Sequence, residues 1–118
     1  MVAIVLWAGG CDIAVRRTVR RLTDAGFAKR PADTVGKLDD LTSMTQHRVV
    51  RRVREGVPWF AYADAKVTEA LYIGDGMAYA RYKSIAVRTA RTVTDQLEPI
   101  EGKNSRIDWR VWDPLGRP

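Results

Sequence analysis

The chain of 118 residues has a single cysteine, Cys11, and a single histidine, His47. One cysteine excludes an intramolecular disulfide framework and any zinc site built from a cysteine cluster. One histidine excludes a multi-histidine metal centre and leaves one candidate histidine base. There is no internal repeat and no low-complexity block. The apolar run at the start of the chain is too short to cross a bilayer. Gly74-Asp75-Gly76 lacks both the glycine-rich extension and the adjacent lysine of a phosphate loop. Asp64, Glu69 and Asp75 do not have the spacing of a calcium loop, and turn or capping roles suit them better. Nucleophilic catalysis needs a base beside the nucleophile and a group that orients the base. No such constellation is legible, so the expectation is a non-catalytic domain with no cofactor and no metal.

Apolar residues make up 46% of the chain, enough for a folded domain, and this length implies one domain. The charge is lopsided. Residues 12–54 hold 11 basic and 5 acidic residues, whereas residues 55–118 hold nine of each, so the whole net charge of +6 comes from the first half. A basic surface of this kind suits an acidic partner: phosphate, nucleic acid or an anionic membrane.

Residues 1–10, MVAIVLWAGG, are uncharged, and Ala8-Gly9-Gly10 stands directly before Cys11. An apolar run, small residues and then a cysteine resemble the lipobox of bacterial lipoproteins. The resemblance implies a lipid on the Cys11 thiol and removal of the preceding segment. Two features depart from that pattern: Ala8 replaces the usual leucine, and no basic residues precede the run, which a start upstream of Met1 would supply. Asp12, directly after the cysteine, resembles the inner-membrane retention signal of enteric lipoproteins. The competing reading makes MVAIVLW a buried first strand, with Gly9-Gly10 as its turn and Cys11 as a core thiol.

Residues 12–25 read as a basic amphipathic helix. Val15, Val19 and Leu22 form its apolar stripe, Arg16, Arg17, Arg20 and Arg21 its charged side, and Gly26 its stop. Phe27 then turns back into the core. Lys29-Arg30-Pro31 reads as a linker. A second helix over about 35–44 is capped by Asp33 or Thr34. A hairpin pairs residues 49–53 with 59–62 around Glu55-Gly56, which sets Arg52 opposite Trp59 and Arg51 opposite Phe60. One of Trp59 and Phe60 is expected to be buried and the other to be available to a partner. A third strand spans 70–73. Asp75 caps a helix over 77–92, whose Tyr79 and Tyr82 are expected in the core. Residues 99–118 read as a loosely ordered tail in which Trp109 and Trp112 dock on the domain or meet a partner. The expected fold is α+β: two N-terminal helices, an antiparallel sheet of three strands and a C-terminal helix, over residues 12–98.

The words Val57-Pro58-Trp59-Phe60-Ala61-Tyr62-Ala63-Asp64, Leu71-Tyr72-Ile73-Gly74-Asp75 and Ala78-Tyr79-Ala80-Arg81-Tyr82 follow one another in order. Together they resemble small uncharacterised lipoprotein-like proteins of proteobacteria with a Y-x-Y-A-D-P hairpin followed by L-Y-V-G-x-x-x-A-Y-x-x-Y. The similarity spans about residues 22–86. It implies export and a lipid anchor shortly before this region, which agrees with the position of Cys11, and it carries no activity. Where such proteins often have a cysteine pair, this chain has Thr68 and Ala70, and Ala65 replaces the proline.

The sequence therefore points to a domain of the cell envelope, on the periplasmic side. Cys11 is its lipid-attachment residue, and Arg16, Arg17, Arg20, Arg21, Arg51 and Arg52 are its anionic-surface residues. Trp59, Trp109 and Trp112 are candidates for a protein partner. The alternative is a cytoplasmic nucleic-acid-binding module that uses the Arg-rich helix and hairpin. Against it, the second helix pairs Asp39 with Asp40 where a recognition helix needs basic, base-reading residues.

Overall fold

A sheet of four antiparallel strands separates two cores. The computed structural model describes the backbone of residues 2–89 and 107–112, and the side chains of residues 12–88 and 107–112. In chain order the elements are α1 (Val2–Ala25), β1 (Ala28–Pro31), α2 (Val35–Ser43), β2 (Val49–Arg54), β3 (Val57–Asp64), β4 (Ala70–Gly74), α3 (Gly76–Thr89) and α4 (Trp109–Trp112). The strand order is β1-β4-β3-β2. The class is α+β as the sequence implied, with one more strand and one more helix than expected.

The hairpin has the anticipated register. Arg52 pairs with Trp59 and Arg51 with Phe60. Glu55 (φ 52°) and Gly56 (φ 79°) form the bend, and positive φ at both central residues matches a type I′ turn and the twist of the strands it joins. Alternation along β3 then sorts its side chains. Phe60 and Tyr62 join Phe27, Tyr72, Tyr79 and Tyr82 in an aromatic core under α1 and α3. Trp59, Ala61 and Ala63 join Leu41, Met44, Leu71, Ile73 and Trp112 under α2 and α4. Both sheet faces are covered, so Trp59 and Phe60 are both buried, and neither is left for a partner as the hairpin alone suggested. Phe60 stacks on Tyr79, with ring centroids 4.3 Å apart and planes 5° from parallel.

The segment read as a linker, Lys29-Arg30-Pro31, is part of β1. It pairs with β4 from Ala28↔Ile73 to Pro31↔Ala70. Charge and proline obscured it because they are also what suits an edge strand: they discourage pairing with another chain, and the missing proline N–H falls where no neighbour needs it.

The first helix begins at Val2 rather than Asp12. Residues 2–10 continue it, so the reading of MVAIVLW as a strand with a Gly9-Gly10 turn does not hold. A helix closes its own hydrogen bonds, whereas a strand needs a free edge, and apolar content alone does not separate the two. Val15, Leu22 and Ala25 are buried along the expected stripe, with Val19 packed beside them. The end of α1 is a Schellman turn: Gly26 N–H donates to Thr23 O and Phe27 N–H to Leu22 O, both at 3.0 Å. Gly26 has φ +103°, and a Cβ there would lie 2.9 Å from the Arg81 guanidinium. Arg81 Nε donates to the terminal Ala25 carbonyl at 2.7 Å, which ties α3 to the end of α1.

Thr34 is the cap of α2, accepting from Lys37 N–H at 3.1 Å. Asp75 caps α3 through Ala78 N–H at 2.8 Å. The stretch read as a loose tail contains a docked piece. Trp112 is 2% exposed and donates its indole N–H to Asp40 at 2.7 Å. The rest of 99–118 lies outside the described residues, as does the side chain of Cys11.

Candidate anionic-surface face

The helices on the two sides of the sheet differ in charge. α1 carries four arginines against Asp12 and Asp24. Its partner α3 carries Arg81, Lys83 and Arg88 and no acid. On the other side of the sheet, α2 has Lys37 against Asp39 and Asp40, with Asp33 just ahead of it. The α1/α3 layer is therefore strongly positive, and α2 is mildly negative, with Arg110 of α4 also on its side of the sheet.

The six expected anionic-surface residues do not form one patch. Arg16, Arg17 and Arg20 are exposed on α1, opposite its buried stripe. Arg21 is half-buried, and its positive charge reaches the Tyr82 phenol. Arg51 and Arg52 are half-buried neighbours on β2. Strand alternation sends Arg51 to the face of Phe60 and Arg52 to the face of Trp59. Arg52 therefore lies on the side of α2 and α4, where Arg54 also stands 5.5 Å from the Trp109 ring centroid. The exposed arginine row on α1 is the part of the set that lies together. Cys11 is on the same helix, five residues before Arg16, or about 7.5 Å along its axis.

A second feature is a polar cluster around Asp64, which takes the turn role expected of it but also gathers His47, Thr68 and Tyr72. This carboxylate has no exposed surface. It accepts from His47 Nε2 at 3.0 Å, from the amides of Lys66, Val67 and Thr68, and from the Thr68 hydroxyl at 2.7 Å. Burial alone would push the carboxyl up. The His47 contact, the amides of Thr68 and Val67 and the Thr68 hydroxyl outweigh that and hold Asp64 well below the usual carboxylate range. Tyr72 donates to Thr68 at 2.9 Å and extends the chain of bonds. Nearby, burial and the Asp64 charge push the Tyr62 phenol above its ordinary range, against a hydrogen bond with Thr18 of α1.

His47 has φ 59° and anchors its own N–H on Ala63 O at 3.0 Å. The Asp64–His47 pair has the form of a base with its orienting group, but no nucleophile is bonded to His47 among the described residues. No group of three His, Cys, Asp or Glu side chains among them could hold a metal. The cluster organises the β3–β4 turn. Its signal was present in the sequence: an Asp followed by Thr four residues later, between two strands, suits a carboxylate that caps a turn.

No helix among the described residues is long and apolar enough to cross a membrane. No protein-family description matches the chain, and no match is found among curated proteins or solved structures.

Proposed function

We propose that this chain is a non-catalytic domain of the cell envelope, held at a membrane surface by a lipid on Cys11 and by the arginine row of α1. One observation carries the reading: the lipobox-like cysteine and the exposed arginines are on one helix, within about two and a half turns of each other. An anchor at Cys11 would bring Arg16, Arg17 and Arg20 to headgroup level. A single lipid chain binds a bilayer weakly, and an adjacent basic patch adds attraction to anionic lipid.

The nucleic-acid alternative gains less from the geometry. The candidate recognition helix, α2, is acidic, and its Asp40 is engaged by α4. The hairpin that would serve as a wing is built into a sheet covered on both faces.

The test is intact mass and N-terminal mapping of the protein expressed from its own locus with upstream DNA. A chain beginning at a diacylglyceryl-modified Cys11 in the membrane fraction, and loss of that modification in Cys11→Ser, is the expected result. An unmodified chain that retains Met1 would overturn the anchor.

A further inference from the structure

We infer that α3 forms the second half of the membrane-facing surface, so that the α1/α3 layer lies flat on an anionic bilayer with apolar side chains set among its cations. The inference rests on the membrane-surface reading above and extends it to a helix that the lipobox does not involve.

Three observations support it. The first is charge. Lys83 and Arg88 are exposed on α3 alongside the exposed Arg16, Arg17 and Arg20 of α1, and α3 has no acidic residue to offset them. The second is the placement of exposed apolar groups. Ile13 on α1 is 54% exposed, and on α3 Met77 is 70% and Val87 61% exposed. The other large exposed apolar residues among those described, Val35, Val53 and Val57, lie on the acidic helix and the hairpin. The third is rigidity. The Arg81–Ala25 bond and the shared aromatic core hold the two helices together, so both present their outer sides as one face.

Cations interspersed with aliphatic side chains fit a bilayer interface. Lysine and arginine reach phosphate while the aliphatic groups enter the acyl boundary. A nucleic-acid backbone offers phosphate but nothing for Ile13, Met77 or Val87 to enter, so the apolar residues favour lipid.

The experiment uses the full chain carrying Cys11→Ser, so that no lipid anchor contributes. Binding is measured by co-sedimentation with vesicles of phosphatidylcholine containing roughly one-third phosphatidylglycerol, and with phosphatidylcholine alone. Binding is expected on the anionic vesicles and to weaken with salt. Lys83→Gln with Arg88→Gln should lower the partition constant roughly ten- to thirtyfold. Met77→Ser with Val87→Ser should lower it severalfold at unchanged charge. All four side chains are exposed, and matching thermal melts would show that the variants fold.

If both α3 variants bind like the parent while Arg16→Gln with Arg20→Gln binds less, α3 is not part of the surface and the α1 reading survives. If the parent does not bind anionic vesicles, the basic-face reading fails with it, whatever the state of Cys11. If the parent prefers duplex DNA to vesicles and the Met77/Val87 variant changes nothing, the surface is a phosphodiester site and the inference is wrong.

Discussion

Trp112 donates its indole N–H to Asp40 at 2.7 Å, joining residues 72 positions apart in the chain. The same carboxylate oxygen accepts the backbone N–H of Asp108 at 3.1 Å. One side chain on α2 thus holds both ends of the 108–112 segment, while Trp112 enters the core of Leu41, Met44, Ala61 and Ala63. Asp40→Ala should therefore release the segment as a unit, at a cost of about 1–3 kcal/mol for the lost charge-assisted bonds. The measurement is tryptophan emission with urea unfolding: a red shift at low urea and a lower midpoint. Emission identical to the parent's would mean that packing alone seats Trp112.

The Asp64 cluster predicts a pH dependence with a definite sign. Folding lowers the carboxyl below its ordinary value of 3.8. The stability it contributes is therefore fully present above that value and lost as pH falls through it toward the folded pKa. Asp64→Asn should cost about 2–4 kcal/mol near neutral pH, since His47 and the turn amides lose a buried charged acceptor. The deficit should shrink near pH 2.5, where the parent has lost part of the same contribution. Urea midpoints of both proteins at the two pH values check this. An equal deficit at both would show that hydrogen-bond geometry, and not charge, is what Asp64 provides.

How far the sequence was legible depended on how local each signal is. Thr34, Gly26, Asp75 and the Glu55-Gly56 bend act over a few residues, and each is where the sequence placed it. The Arg52–Trp59 register followed from the bend. What failed needed long-range information. β1 exists because the β4 edge accepts it, and Lys29-Arg30-Pro31 shows no alternation to reveal that. The helix α2 was legible, but its covering of the second sheet face together with α4 was not, for a related reason: one of Trp59 and Phe60 reads as available to a partner until both faces are known to be covered. The α1 arginines were legible from helical spacing. The placement of Arg51 and Arg52 on opposite faces was already implicit in strand alternation.

The buried phenols predict behaviour at the other end of the pH scale. Burial raises Tyr62, Tyr72 and Tyr82 above the ordinary value of 10.0. Unfolded tyrosines release their protons first, so stability is intact below pH 10 and falls as pH rises beyond it. Three of the four tyrosines in the chain should then ionise late, in a step that coincides with alkaline unfolding. Absorbance near 295 nm followed alongside circular dichroism tests the coincidence. Smooth ionisation of these three near pH 10 with the fold intact would mean that solvent reaches the aromatic core.

The hairpin bend offers a gain in stability. Glu55 adopts φ 52° in a turn whose partner, Gly56, is already suited to positive φ. Glutamate has no side-chain compensation for that conformation, whereas asparagine tolerates it best among residues with a Cβ, and Asn-Gly is the preferred type I′ pair. Glu55 is exposed, and its replacement disturbs no buried contact. Glu55→Asn should therefore stabilise the domain by about 0.5–1 kcal/mol. Because the bend sits at the end of the β2–β3 ladder and belongs to neither α1 nor α3, the same variant, with one negative charge fewer, should bind anionic vesicles at least as well as the parent does. Thermal melts with the vesicle assay read both effects. A destabilised Glu55→Asn would show that Glu55 makes an interaction outweighing its backbone strain.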